Sequence, residues 1–298
     1  MAVSRRLGRV GPIPGLLLAP GVLIILAVYV GCTLWSVWIS FTSSKAFPSN
    51  NFVGFDQYER LLDNERWSIS VHNLLIFGTG LVGVCLVLGF LMAVFLDQKI
   101  RGEDFFRTIF LYPFSMSFIV TGVAWQWFLN PEFGLQKVVR SLGWSSFTFD
   151  WLVNPDKVIF ALLIAAVWQA SGLVMAILLA GLRGIDEDIW KATRIDGIPA
   201  WRVYASVIVP MLAPMFATAA VLLSVTVIKA FDLVKSMTTG GPGLSSEVPA
   251  KFIMDLMFER ANIGMATAAS TLLLVTVIVI VVPLLYAQSR RAAKGGGH

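Results

Sequence analysis

Lys191–Pro210 reads KATRIDGIPAWRVYASVIVP. Apolar runs long enough to cross a bilayer lie on either side of it. Its first half is charged and ends in Asp196-Gly197-Ile198-Pro199. Asp186, Glu187 and Asp188 crowd the start of the segment, and Lys191 and Arg194 fall towards its end. Acids at the first turn and bases at the last suit the helix dipole. Gly197 can take the left-handed position after the last turn, and Pro199 opposes continuation. The spacing therefore predicts a short helix over 186–199 with a hard stop. At 100° per residue Ile189, Trp190, Ala192 and Thr193 share one side, and Lys191 and Arg194 the other. Such a helix between spans either lies on a lipid surface or fits a groove on a partner.

The surrounding chain decides the solvent. Of its 298 residues 57% are hydrophobic and only 14% charged, with mean hydropathy +0.77. A soluble domain carries roughly a quarter charged residues. Too little polar surface is left to face water, so lipid is the expected solvent. The net charge is +5, but no basic stripe interleaved with aromatics is present, which argues against nucleic acid. Cys32 and Cys85 both sit in apolar runs and read as small buried hydrophobes. No H-E-x-x-H, C-x-x-C or G-x-x-x-x-G-K-[ST] occurs. No metal site and no nucleotide-hydrolysing loop is therefore expected in this chain.

Six apolar runs reach the roughly 20 residues a spanning helix needs. They lie near 15–41, 71–96, 107–129, 158–181, 207–229 and 263–287. The first follows Ser4-Arg5-Arg6-Leu7-Gly8-Arg9, and its length and lack of a small-x-small site favour an uncleaved span over a signal peptide. With the N-terminus inside, 13 Lys and Arg fall on inner segments: Arg5, Arg6, Arg9, Lys99, Arg101, Arg107, Arg183, Lys191, Arg194, Arg202, Arg290, Arg291 and Lys294. Ten fall on much longer outer segments. The higher density of positive charge marks the cytoplasmic side. Both termini and the segments 98–106 and 182–206 are thus expected inside. The outer loops 42–70, 130–157 and 230–262 carry turn signals that suggest short interfacial helices. A membrane barrel would show alternating segments of about ten residues, and none occur. The expected fold is an all-α integral membrane bundle, one transmembrane domain over 1–298 with the short helix at 186–197 inside it.

Polar and aromatic residues within spans mark the candidate pathway. Phe114, Ser117 and Phe118 lie in the third, with Ser115, Thr121, Trp125 and Gln126. Trp168, Gln169 and Ser171 lie in the fourth, and Ser224, Thr226 and Lys229 in the fifth, with Asp232 just beyond. Ring faces stack on C–H surfaces and amides pair with hydroxyls, which suits a sugar. Ser and Thr in spans also bond their own backbone. Lys229 and Asp232, three apart, are expected to pair with each other or to meet a ligand at the outer mouth. Gly78-Thr79-Gly80-Leu81-Val82-Gly83 fits G-x-G-x-x-G but has no preceding strand, so it reads as close helix packing. Gly240-Gly241-Pro242-Gly243 reads as a rigid outer turn.

Trp190-Lys191-Ala192-Thr193-Arg194-Ile195-Asp196-Gly197, with Pro210 thirteen residues after the glycine, resembles the E-A-A-x-x-x-G loop of ABC-importer permeases. Phe231-Asp232-Leu233-Val234, Thr238-Thr239-Gly240-Gly241-Pro242-Gly243, Glu247 and Gly264-Met265-Ala266-Thr267-Ala268 resemble the C-terminal region of the maltose- and glycerol-phosphate-type sugar permeases. Asn51-Phe52-Val53-Gly54-Phe55-Asp56-Gln57-Tyr58 and Leu129-Asn130-Pro131-Glu132-Phe133-Gly134 fit in order. The resemblance covers nearly the whole chain. It implies a six-helix type I ABC importer permease that takes a small sugar from a periplasmic binding protein across the bacterial inner membrane. A second homologous permease and two ABC ATPase subunits would complete the complex. ATP and Mg would be bound by the ATPases, so no cofactor and no catalytic residue is expected here. The short helix at 186–197 would be the cytoplasmic coupling helix, with Ile189, Trp190, Lys191, Ala192, Thr193, Arg194, Ile195, Asp196 and Gly197 as its ATPase-coupling residues.

Lys191 stands where the family has Glu, and Thr193 where it has Ala. Because lysine reverses the charge, docking is expected to rest on apolar contacts from Ile189, Trp190, Ala192 and Ile195, supplemented by Arg194 and Asp196. The family's mid-membrane pocket maps onto Phe114, Phe118, Ala166, Gln169, Ala170, Leu223, Val227 and Ala230, several of them apolar. The resemblance suggests a glucose-like monosaccharide or a small α-glucoside. An ion-coupled secondary transporter would need carboxylates or histidines deep in its spans, and the acids here cluster in loops.

Overall fold

The computed structural model describes residues 12–98 and 100–295. Arg5, Arg6, Arg9, Lys99 and His298 lie outside these residues. Helices dominate, and the described residues hold one isolated bridge, Thr42 to Phe52, but no strand. Within a bilayer this is the expected solution, because a helix satisfies its own backbone.

The first span, α1, runs from Pro12–Ile25 through a wide turn at Leu26–Val30 into Gly31–Ile39. Its apolar side chains from Val22 to Trp38 are mostly exposed, while its Gly31–Ile39 part lies against the last helix. Cys32 is exposed on it, against expectation, whereas Cys85 is buried. A short interfacial helix α2 (Asp56–Leu62) follows, as the first outer loop suggests. The second span, α3 (Glu65–Asp97), opens on Asn64, whose side chain accepts from the Trp67 amide.

The run at 107–129 is not one straight helix. It divides into α4 (Glu103–Leu111, tightened to a 3-10 turn at Tyr112–Ser115) and α5 (Phe118–Phe128), which meet at 101°. Pro113 removes a backbone donor. Met116 and Ser117 then adopt extended angles, and Ser117 Oγ caps the new helix by accepting from the Val120 amide at 3.3 Å. A short outer helix α6 (Leu135–Ser141) leads to the fourth span, α7 (Val158–Arg183), the most buried of the long helices.

After α7 comes α8 (Glu187–Ile195), close to its predicted bounds. The run at 207–229 also breaks: α9 (Ala200–Met211, including a wide turn at Tyr204–Ile208) meets α10 (Ala213–Ile228) at 68°. Pro214, at the second position of α10, cannot donate to Pro210, so the helix bends at Leu212. Outer helices α11 (Phe231–Met237) and α12 (Pro249–Met254) precede the sixth span, α13 (Ile263–Gly295). Six apolar runs are thus three continuous spans, two bent pairs and the final helix, whose described apolar part is Ile263–Val279.

The core is centred on α7, with α3 and α10 against it. Small residues allow the close approach expected of membrane helices. A Cβ on Gly80 would lie 2.8 Å from Leu163, and one on Gly78 2.9 Å from Val227. Gly83 meets nothing within 4 Å, so packing explains the first two glycines of the G-x-G-x-x-G stretch and not the third.

Candidate functional site

The break between α4 and α5 organises the membrane interior. Extended backbone at Met116 leaves a carbonyl without a helical partner, and lipid supplies no donor. Gln169 of α7 supplies one: its Nε2 donates to the Met116 carbonyl at 2.7 Å. Gln169 is only 3% exposed, and its Oε1 accepts no hydrogen bond, nor does buried Thr121 Oγ1 on α5. One turn further along α7, a Cβ on Gly172 would sit 1.9 Å from the Phe110 carbonyl. No side chain other than hydrogen fits there, so α4 lies directly on α7.

Of the candidate residues, Gln169 reaches the break itself and Trp168 meets α5. Phe114 and Ser117 are exposed and Phe118 is half-buried. Trp168 is partly exposed and meets Trp125 edge-on at 5.9 Å. Ser171 is buried on α7. No residue from Leu111 to Leu129 is charged. The remaining candidates lie elsewhere. Ser224 opens into an apolar cleft of about 560 Å³ between α3, α10 and α13, and its hydroxyl donates to its own helix at the Ala220 carbonyl. Thr226 likewise bonds Leu222. Lys229 and Asp232 are exposed and form no ion pair among the described residues. Lys229 ends α10 and Asp232 lies in the first turn of α11. The turn between these helices defeats the i,i+3 geometry that a single helix would give.

The helix α8 is built by its local chemistry. Asp186 caps it by accepting from the Asp188 amide at 2.9 Å. Gly197 takes φ +66°, and the Ile198 amide reaches back to the Thr193 carbonyl. Trp190 turns towards the bundle and meets Tyr204 edge-on at 5.8 Å, with Thr193 buried beside it and Ile189 half-buried. The outward side carries Lys191, Ala192, Arg194, Ile195 and Asp196. Ile195 is 85% exposed, and Trp201 at the start of α9 is exposed too. Trp190 therefore anchors the helix to its own subunit, and of the four expected docking side chains Ala192 and Ile195 are the fully presented ones. Lys191 Nζ pairs with Asp188 at 2.9 Å on the surface, a contact worth little.

An outer cluster was not anticipated from the sequence. Arg66 Nε donates to both Glu247 oxygens at 2.8 Å, its Nη2 also reaches Asp255, and Lys251 Nζ lies 2.6 Å from Asp255. Glu247 is 1% exposed. Two cations face two carboxylates, so the group is neutral, as burial requires. Asn73 Nδ2 donates to the Leu244 and Glu247 carbonyls at 3.1 and 3.0 Å. Together Arg66 and Asn73 tie the Leu244–Glu247 segment, just after the Gly240–Gly243 turn, to the first turns of α3. Burial pushes the Asp255 carboxyl up, but the Lys251 and Arg66 hydrogen bonds and charges outweigh it and hold the group below the usual carboxylate range. The i,i+4 pair of Lys251 and Asp255 within an apolar stretch was the one available signal. No group of three or more metal-ligating side chains gathers among the described residues.

Comparison with known proteins agrees with this architecture. Residues 85–294 match the family described as binding-protein-dependent transport system inner membrane component. The xylose/arabinose import permease protein XacH of Haloferax volcanii is 34% identical over 276 residues, covering 91% of this chain and 86% of that one. The trehalose/maltose transport system permease protein MalF of Thermococcus litoralis is 30% identical, covering 76% and 77%. A bacterial ABC transporter involved in the import of the acidic polysaccharide alginate superposes with a TM-score of 0.78 at 19% identity, over 93% of this chain and 95% of that one. The chain belongs to the inner-membrane permease family of binding-protein-dependent transport systems. It has the type I ABC importer permease fold and is a multi-pass membrane protein.

Proposed function

We propose that this subunit carries a neutral sugar across the inner membrane, accepting it from a periplasmic binding protein. The observation that carries the reading is the break at Met116–Ser117. There Gln169 of α7 holds the backbone between Phe114 and Phe118, Trp168 meets Trp125 of α5, and no residue from Leu111 to Leu129 is charged. Aromatic faces and hydroxyls suit an uncharged sugar, whereas an acidic one would call for basic partners. The sugars named for XacH and MalF, at 34% and 30% identity, support the same class. A glucose-like monosaccharide or a small α-glucoside falls within it.

A second homologous permease completes the pathway, and two ATPase subunits dock on the inner side at α8. ATP and Mg are held by those partners, and no bond chemistry is assigned to this chain. Both termini are cytoplasmic, following the density of Lys and Arg on the inner segments. ATP binding shifts the equilibrium towards the outward-open state only through contacts that differ between the two states. The exposed side of α8, with Ile195 at its C-terminal end, offers such contacts.

Uptake of radiolabelled xylose, glucose, trehalose and maltose in cells with and without this subunit tests the reading. Uptake of one of them should require the subunit, fall with vanadate and survive a protonophore while ATP is maintained. Uptake abolished by the protonophore alone would establish ion coupling instead.

A further inference from the structure

Arg183 ends α7 three residues before Asp186 caps α8. Its guanidinium reaches carboxylates on two other helices. Nη2 donates to Glu103 Oε1 at 2.6 Å, and Nε lies 3.8 Å from Asp97 Oδ1. Asp97 is the last residue of α3, and Glu103 the first of α4. The helix dipole favours Glu103 and Arg183 in these places and opposes an acid at the end of α3. Asp97 thus sits where its own helix disfavours it and where Arg183 compensates. The Arg183 side chain is 41% exposed, and pairs of that exposure add little to fold stability. Their consequence is geometric.

Only Gly184 and Ile185 separate α7 from the cap of α8, so any displacement of α8 arrives at Arg183. Arg183 touches the end of α3 and the start of α4 at once. Beyond α4 the chain leads to the break at Met116–Ser117 and the candidate sugar pathway. Gly172 brings α4 onto α7 higher in the bundle, which leaves the inner ends of these helices to be tied by side chains.

We propose that Arg183 is a positioning residue that makes the inner ends of α3, α4 and α7 move as one body when α8 is displaced. This rests on the reading of α8 as the ATPase contact. Loss of the tie would let α7 move alone, and nucleotide-driven motion would not reach the broken span.

The test uses the permease–ATPase complex in nanodiscs. Nitroxide labels go on Arg101→Cys, in the α3–α4 turn, and on Leu142→Cys, at the outer face, in a Cys32→Ser background. Pulsed EPR distances are compared between nucleotide-free and ATP–vanadate-trapped complex. The pair should change distance on trapping. Arg183→Gln should at least halve that change while the ATPase still co-purifies and hydrolyses ATP. Arg183→Lys keeps the charge but reaches one carboxylate, so it should give an intermediate change. If Arg183→Gln fails to assemble, Arg183→Lys decides: a reduced change supports the tie, and an unchanged one overturns it. An unchanged distance shift in Arg183→Gln also overturns it while leaving α8 as the docking helix. Absence of any ATPase from the wild-type complex removes both readings together.

Discussion

Gln169 and Met116 meet at 2.7 Å, amide to backbone carbonyl, across 53 residues of sequence. The contact lets a membrane span break by 101° without leaving that acceptor bare in lipid. Gln169→Leu would keep the volume and remove the donor. Stranding a buried carbonyl costs about 1–3 kcal/mol. Thermal unfolding in detergent should show a lower midpoint for Gln169→Leu than for Gln169→Glu, whose protonated carboxyl can still donate. Equal midpoints would mean that the bond contributes nothing.

Gly172 faces the Phe110 carbonyl so closely that a Cβ would lie at 1.9 Å. Backbone cannot swing aside as a flexible side chain does. Gly172→Ala should cost about 1–3 kcal/mol by overpacking and reduce the monodisperse fraction in size-exclusion chromatography. Gly83→Ala, where nothing lies within 4 Å, should leave that fraction unchanged.

The outer cluster should behave as a unit. Arg66→Ala leaves Glu247, 1% exposed, with its main partner gone. Breaking a buried pair on one side costs about 3–5 kcal/mol. A double-mutant cycle with Glu247→Gln, read by thermal unfolding, should show strong coupling. Additive effects would contradict the geometry.

Acid should weaken the same cluster. The folded Asp255 carboxyl lies below its ordinary value. Its stabilisation is therefore present above the unfolded value of about 3.9 and is lost as pH falls through the lower folded value. The melting difference between wild type and Asp255→Asn should be full at neutral pH and narrow only below about pH 4. A difference that grew on acidification would reverse the sign.

Gly197 holds φ +66° with nothing within 4 Å of where a Cβ would stand, so backbone strain alone decides what a substitution does. Gly197→Val should cost about 1–3 kcal/mol locally. It should reduce ATPase stimulation by the loaded binding protein more than it lowers the melting point. Full stimulation would show that the turn after α8 tolerates other shapes.

Much of α8 was legible because its signals are local: acids at the cap, a glycine after the last turn, a proline beyond. Its orientation was not legible. The amphipathic pattern defines two sides, but only Tyr204, reached through tertiary packing, fixes Trp190 as the inward anchor. The break at Met116–Ser117 was hidden because hydropathy runs on unbroken through 107–129, and the donor that permits it is on another helix. Lys229 and Asp232 have the spacing of a helical pair, yet the chain turns between them. The cluster of Arg66, Glu247, Lys251 and Asp255 joins segments about 180 residues apart, beyond the reach of any local pattern.

Ile195, 85% exposed at the last residue of α8, offers the most direct measurement. A photo-crosslinking amino acid placed there in native membranes should form a covalent adduct with an ATPase subunit. The adduct should be lost when the same group is moved to inward-facing Trp190. Labelling of lipid alone at position 195, in a preparation where the ATPase still co-purifies, would contradict the assignment of α8 as the contact between the motor and the membrane bundle.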